Sequence, residues 1–480
     1  LSVFQDGVRL NEFLGDTMNW DLVPQDAIAS VEVVPGAEPR HARNTLGGAI
    51  LFDTKRGFTN AGTRAEASYG SFGRRRGLVE TGGSRGAFDY FALGNFLHED
   101  GFRDFSESRV NQAFAEVGWR DGNHDVTLNY TLARNNLRGN AFAPESFLEL
   151  DRGSVYTQPD IFRPDLDLVI LRGTRKFGAQ SSVDARFHFR NLDFKQSNGD
   201  AGEEAAAEEP GMEEEPADGP LPGVLRITRG LQRRFGGAVD ARYASRLFGG
   251  ENDLSAGVEV DRGEADLSLA EQDGFLNDDR AVVASGPSRI RTDVSSDGVA
   301  IGVYVSDSFS PFPWATVTPA ARYDRQHLAI DDHLGAASGD HVFERVNPSI
   351  GLTLRPEPRL NLFARYGESF RAPTAVELTC ASEEAPCPLP VAFVEDPPLE
   401  KVRARSVEAG MRAQPLETLR VKLAYFRTDL DGDILFVTRT RALGFFRNVG
   451  TTRRQGVEAF FDGSLGRVRW FANYSFTRAT

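Results

Sequence analysis

What this 480-residue chain lacks narrows it first. No apolar run approaches the roughly 18 residues that a membrane-spanning helix needs, so helical insertion is excluded. A β-barrel survives that exclusion, because its strands alternate apolar and polar residues and keep average hydropathy low. A basic excess is missing too. Lys and Arg number 55 against 69 Asp and Glu, a net charge of -14, which argues against a nucleic-acid surface, since phosphates reward basic grooves. Only two cysteines occur, Cys380 and Cys387, close together in a Pro-rich segment, a sparse paired usage that suits an oxidising compartment. There is no His-Glu-x-x-His and no phosphate-binding loop. "GGSRG" (Gly82 to Gly86) fits a hydrolase nucleophile pattern, but that motif needs a helix after it, and "AFDYFALGNF" reads as another strand. His327, Asp331, Asp332, His333, Asp340 and His341 could each bind a metal, yet their spacing matches no tight site and a polar exterior loop is the better reading. No enzyme activity and no cofactor is expected.

Glycine (48) and phenylalanine (35) are plentiful, as in many-stranded β proteins. From Arg64 onward the period is two. In "DVTLNYTLA" Val126, Leu128, Tyr130 and Leu132 face one way and Thr127, Asn129 and Thr131 the other; "TLRVKLAYF" and "RVRWFANYSF" repeat the pattern. A soluble sandwich would alternate as well, so the connections decide. Short turns such as "RDGNH", "SPFPW", "RPEPR" and "GSLGR" alternate with long polar segments around residues 135–167, 196–229, 267–297 and 371–402. Short turns on one rim and long loops on the other mark an outer-membrane barrel, here with about seventeen strands between Arg64 and Thr480. Trp119, Trp314 and Trp470 each fall near a short turn, where an amphipathic ring meets the membrane boundary. The acidic, low-complexity run from Ser197 to Gly223 is expected to be a mobile exterior loop.

Residues 1–57 do not alternate like a barrel. "LSVFQDGVRLN" reads as strand, Asp6-Gly7 turn and strand; the loop "EFLGDTMNWDLVP" follows, then "IASVEVVPG". Gly47 and Gly48 then feed the buried strand Ala49 to Phe52. This part resembles the C-terminal half of the plug of TonB-dependent outer-membrane receptors. The resemblance rests on Asp6-Gly7-Val8-Arg9, Val31-Glu32-Val33, Gly36, Asn44 to Ile50 and Thr54-Lys55. Further matches are "ESFRAPT" (Glu368–Thr374), "LEKVRARSVEAGMR" (Leu399–Arg412), "FRTDLDGDI" (Phe426–Ile434) and "FRNVGTTRRQGVEAFF" (Phe446–Phe461).

The resemblance implies an all-β membrane protein: a plug (residues 1–57) inside an antiparallel transmembrane barrel (residues 58–480). The family barrel has 22 strands. About 17 are counted here, and with no initiator Met the chain reads as a fragment, so a gap is expected between strand Arg64–Ser71 and strand Arg467–Arg478. The implied function is import of a scarce, large solute, most often a ferric siderophore, across the outer membrane of a Gram-negative bacterium. Its implied partners are the TonB energy-coupling complex, outer-membrane lipid and lipopolysaccharide, and the ligand, with the receptor a monomer. The alternatives are a passive porin or structural barrel, or an importer of cobalamin, haem or oligosaccharide. Ligand contacts are expected from the apical plug loop at Phe13, Asp16, Asn19 and Trp20, with Arg371 from the barrel. The family places an Arg where Pro35 stands, facing barrel glutamates; that contact is expected to be absent, or rebuilt through Arg40 or Arg43, with Glu408 and Glu458 both pointing into the lumen and at least one of them near an arginine of the plug. A local Cys380–Cys387 disulfide is expected to stiffen an exterior loop.

Overall fold

The structure, a computed structural model, describes every residue except 37–39, 41–42, 140–141, 203–219, 336–337, 382–386, 389–398 and 440–442. It consists chiefly of two sheets, one inside the other. The inner sheet has four strands, β1 (Ser2–Gln5), β2 (Val8–Arg9), β3 (Ile28–Pro35) and β4 (Gly48–Thr54), in the order β2-β1-β4-β3. Asp6 and Gly7 join β1 to β2 with φ values of 50° and 82°, the paired positive angles of a tight hairpin turn. Gly48 opens β4 at φ 139°, and a Cβ there would sit 2.6 Å from the Val34 carbonyl oxygen, so only glycine lets β3 and β4 close.

The outer wall is a meander of long strands: β5 (Gly62–Tyr69), β6 (Arg75–Arg85), β7 (Phe88–Glu99), β8 (Ser108–Arg120), β9 (His124–Arg134), the short β10 (Leu137–Arg138), β11 (Asp160–Phe177), β12 (Ser181–Ala201), β13 (Pro222–Leu247), β14 (Gly250–Leu276), β15 (Val282–Phe312), β16 (Ala315–Asp332), β17 (Gly339–Glu357) and β18 (Leu360–Arg371). After the two-residue β19 (Cys387–Pro388) come β20 (Val402–Leu416), β21 (Leu419–Asp431), the hairpin β22 (Ile434–Thr438) and β23 (Leu443–Asn448), β24 (Thr451–Leu465) and β25 (Val468–Ala479). β19, β22 and β23 form a separate small sheet. Leaving out those three and β10, seventeen strands make the wall, the number that the turn pattern predicts.

Connections on one rim are two or three residues long, as at 86–87, 121–123, 248–249, 313–314 and 466–467; those on the other run from five residues upward. Trp119, Trp314 and Trp470 all lie at the short-turn rim, Trp314 stacked on Phe312 at 5.3 Å. Burial fixes the faces. Asn129 and Thr131 are 2% and 1% exposed, whereas Leu128 and Tyr130 beside them are 44% and 39% exposed, so the polar phase faces inward and the apolar phase outward.

One expectation needs correction. The polar segments 196–229 and 267–297 are largely strand rather than loop: β14 and β15 run for 27 and 31 residues, where about ten would cross a membrane. Beyond the membrane both faces of a hairpin meet water, so the apolar alternation that betrays a strand disappears there. Of the acidic run, Ser197–Ala201 and Pro222–Gly223 are strand, and residues 203–219 lie outside the described residues. The seam falls between the two strands where a gap is expected. Strand order brings β25 next to β5, yet among the described residues no residue pairing joins them, and β25 is exposed along its whole length. The wall is therefore open there in hydrogen-bonding terms, as the strand count implies, and both edges present unpaired backbone.

Candidate ligand cradle and the anchors of the inner sheet

The inner sheet touches wall strands on many sides. Val3, Val8, Leu10 and Phe52 pack with Leu166, Leu168, Ile170 and Leu192 of β11 and β12, so the lumen face turns apolar where it meets the sheet rather than water. Gln5 donates to Thr131 (3.1 Å), Gln112 reaches the Asp21 carbonyl (2.8 Å), and Gln326 reaches Asn44 (2.8 Å).

Ionic anchors gather at two levels. Towards the short-turn rim, Arg56 leaves β4 and meets three carboxylates: Asp89 at 3.1 Å, Glu116 at 3.1 Å and Asp125 at 2.8 Å. Lys55 beside it pairs with Glu80 at 2.9 Å. Asp6, at the nearby hairpin turn, accepts from the Thr54 amide (3.0 Å), the Thr54 hydroxyl (2.9 Å) and Asn129 (3.0 Å). Burial raises the Asp6 pKa above the ordinary carboxylate value, with the Thr54 bonds opposing.

Towards the long-loop rim the arrangement is reversed. Asp261 of β14 accepts from both Arg43 (2.9 Å) and Arg234 of β13 (2.7 Å), and Arg43 also pairs with Glu259 at 3.5 Å. Although burial opposes it, Asp261 and Glu259 hold the Arg43 pKa above its ordinary value. Arg9 pairs with Asp16 at 2.5 Å, and the Arg234 Nη1 donates to the Asn11 carbonyl at 2.6 Å. Above these groups a cavity of about 80 Å³ is lined by Arg9, Glu12, Phe13, Asp16, Arg43, Arg234 and Gln326, among others, and Ala372 to Ala375 border it. Part of that border is the short helix α1 (Ala375–Leu378), whose start is closed by a reciprocal Thr374–Glu377 capping box. The Val376 amide donates to the Leu14 carbonyl at 3.4 Å, and Leu14, Ala375 and Leu378 share one apolar cluster.

An inner sheet filling a strand wall with two unlike rims decides the family. Residues 50–480 match the family model described as TonB dependent receptor-like, beta-barrel. The chain belongs to the TonB-dependent receptors. Solved structures similar to this receptor include the unliganded ferric citrate transporter FecA (TM-score 0.79, 14% identity, covering 99% of this chain and 69% of that one). The ferric-catecholate import receptor Fiu from E. coli K12, in a closed form, is alike at TM-score 0.77 and 15% identity over 100% and 72% of the two chains. The siderophore receptor PiuA from Acinetobacter baumannii gives 0.76 and 14% over 100% and 71%. At these identities the likeness concerns the fold.

Of the residues chosen from the sequence, most are engaged within the receptor. The Phe13 ring lies over Gly263 and Gly298, register partners on β14 and β15; a Cβ on either would meet it at 2.3 and 2.9 Å. Asp16 is held by Arg9, Asn19 donates to Glu12 at 2.6 Å, and Arg371 makes a two-pronged pair with Glu377 at 2.6 and 2.9 Å. Trp20 stays 49% exposed. Arg43 does reach wall carboxylates, and Arg40 lies 3.7 Å from Asp240.

Glu408 and Glu458 are a correction. Both share the lumen phase, Glu408 directly opposite Arg365, but among the described residues neither pairs with an arginine of the inner sheet. Arg40 and Arg43 turn to β13 and β14 instead, and on the Glu408 side the wall's own Arg365 donates to the Pro35 carbonyl at 3.4 Å. Where Pro35 stands the contact thus has its cation on the wall. Cys380 is disulfide-bonded and the chain holds one other cysteine; the side chain of Cys387 lies outside the described residues. The residues that sequence reasoning missed are Arg56 with its carboxylates, and Arg190, Gln232, Arg234 and Asp261. The signal available for them was strand phase: each wall member is a polar residue on the inward phase.

Proposed function

We propose that this receptor imports a scarce, large iron complex, a ferric siderophore or related chelate, across the outer membrane of a Gram-negative bacterium, energised by the TonB system. Residues 1–57 serve as plug and residues 58–480 as barrel. One observation carries the reading: a folded sheet occupies the lumen and is tied to the wall by buried ion pairs at two levels. A wall of this size without it would be an open aqueous channel. Moving it means breaking packed, paired structure, which thermal motion achieves rarely, so passage needs an external input of work. The relatives, described as a ferric citrate transporter, a ferric-catecholate import receptor and a siderophore receptor, point to iron chelates as cargo. The test is binding and uptake of radiolabelled iron chelates by cells producing the receptor, with and without an uncoupler. Binding should persist in uncoupled cells and uptake should stop. Undiminished uptake in uncoupled cells would leave a passive barrel as the better account.

A further inference from the structure

Arg190 of β12 is the exception in the apical charge cluster. It is 4% exposed, its Nη1 is buried without a hydrogen-bond partner, and it makes no ion pair among the described residues. Its register partner on β13 is Arg234, so two guanidinium groups stand side by side on the lumen face. The charged groups around it are Arg234, Glu12 and Asp261. Asp261 is already shared by Arg43 and Arg234, and Glu12 accepts from Asn19 (2.6 Å) and Gln232 (3.0 Å). A buried cation without a direct counter-ion is costly, and a bound ion is one way such an unpartnered group is satisfied. Arg234 and Glu12, two of its charged neighbours, line the 80 Å³ cavity; Arg190 itself is not part of that lining, so an anion would reach it past these two side chains.

We propose that Arg190 and Arg234 form an anion subsite that takes a carboxylate arm of the ligand, so that the cargo is an anionic, carboxylate-bearing ferric chelate rather than a neutral one. The proposal rests on the importer reading and narrows it. The Arg190 guanidinium offers a fork of N–H donors whose geometry matches a carboxylate, and Arg234, whose own fork is held by Asp261, adds positive charge beside it. A neutral chelate would leave Arg190 as it is, unpaired.

The experiment compares ferric citrate with a neutral ferric trihydroxamate, for binding and for uptake, in cells producing the wild type, Arg190→Met or Arg190→Lys. Ferric citrate should bind the wild type at least tenfold more tightly than the neutral chelate. Arg190→Met should remove that preference by weakening ferric citrate tenfold or more while leaving the neutral chelate unchanged, and Arg190→Lys should restore part of it. Preference for the neutral chelate, or ferric citrate binding within twofold in Arg190→Met, would overturn the subsite and leave the importer standing. Equal weakening of both chelates would also overturn it, because Arg190 would then be supporting the fold through Glu12. If neither chelate binds the wild type, the importer reading itself loses its iron cargo. A measurement on the wild type alone guards against a variant that does not fold. Iron-free citrate should slow amide exchange across Asn11 to Phe13, and no slowing counts against the subsite.

Discussion

The two ionic centres that hold the inner sheet differ in whether every buried charge has a partner within the protein. At the short-turn end one buried cation, Arg56, gathers three carboxylates, of which Asp125 is shared with Arg120; at the long-loop end Asp261 and Glu259 serve Arg43 and Arg234, while Arg190 beside them makes no ion pair among the described residues. The first centre is complete within the protein, since every partner of Arg56 lies on β7, β8 or β9 and Asp125 has Arg120 as a second cation. The second leaves Arg190 without an ion pair among the described residues, and it is the one that lies under the loops from which a ligand would arrive. A tether that must hold in all states suits the first arrangement, and a contact that must respond to an incoming anion suits the second.

The largest expected effect breaks the tether. Arg56→Ala would leave Asp89 and Glu116, 4% and 3% exposed, facing each other without a cation, and removing one partner of such a buried pair costs about 3–5 kcal/mol. Because the wall has its own extensive pairing, the loss should appear in the inner sheet first. Cells producing Arg56→Ala should become sensitive to large antibiotics that the outer membrane excludes, while purified barrel keeps its β-sheet circular dichroism. Arg56→Lys retains a charge but not the three-way fork, and should fall between. An Arg56→Ala receptor as tight as wild type would mean that Lys55–Glu80 and the apolar seam suffice, and that the two ends are not divided as tether and sensor.

An intermediate effect sharpens the other end. Gly263→Val would push a side chain into the Phe13 ring, and overpacking of that kind costs about 1–3 kcal/mol. The apical loop should shift, exposing the Phe13 amide that now donates to Gln232 at 3.0 Å. Faster exchange at that amide and weaker ligand binding, with unchanged antibiotic exclusion, would locate ligand sensing at the apex alone. If exclusion fails as well, the two centres are mechanically coupled.

How much of this was legible in the sequence follows from where the chain meets water. The rims, the seventeen wall strands and the inward phase of Asn129 or Thr131 could be read because one face of each strand is apolar. The outer portions of β14 and β15 could not, since both of their faces are wet. Resemblance located residues at the two ends of the chain, such as Arg43 and the Asp6-Gly7 turn. It said nothing of Arg190, Arg234 or Asp261, which lie in the middle third, where strand pattern was the sole guide. A lumen arginine and a solvent arginine look alike in sequence. Their pairing depends on the register of strands far apart in the chain and on which side the inner sheet leans.

The smallest expected effect concerns pH at the tether. Asp6 carries a raised pKa because it is buried, so the folded sheet holds a proton on it at pH values where the unfolded chain, at 3.8, has already released one. Between that value and the raised one the folded state binds more protons than the unfolded state, and stability must therefore fall as pH rises through this window, then level off above it. Each unit by which the pKa is raised is worth about 1.4 kcal/mol. The Thr54 amide, which donates to Asp6, reports the effect through its exchange rate corrected for intrinsic pH dependence. Protection should decline across the window in the wild type and stay flat in Asp6→Asn, which keeps an acceptor oxygen but has no proton to lose. A slope that survives in Asp6→Asn would shift the assignment to Asp21, in the 3-10 turn Trp20–Leu22, the other carboxyl among the described residues of 1–57 that burial pushes upward. Asp21 lies with the apical strands' wall contacts, through the carbonyl that Gln112 and Asn135 reach, so that outcome would move the pH-sensitive step from the tether towards the ligand side.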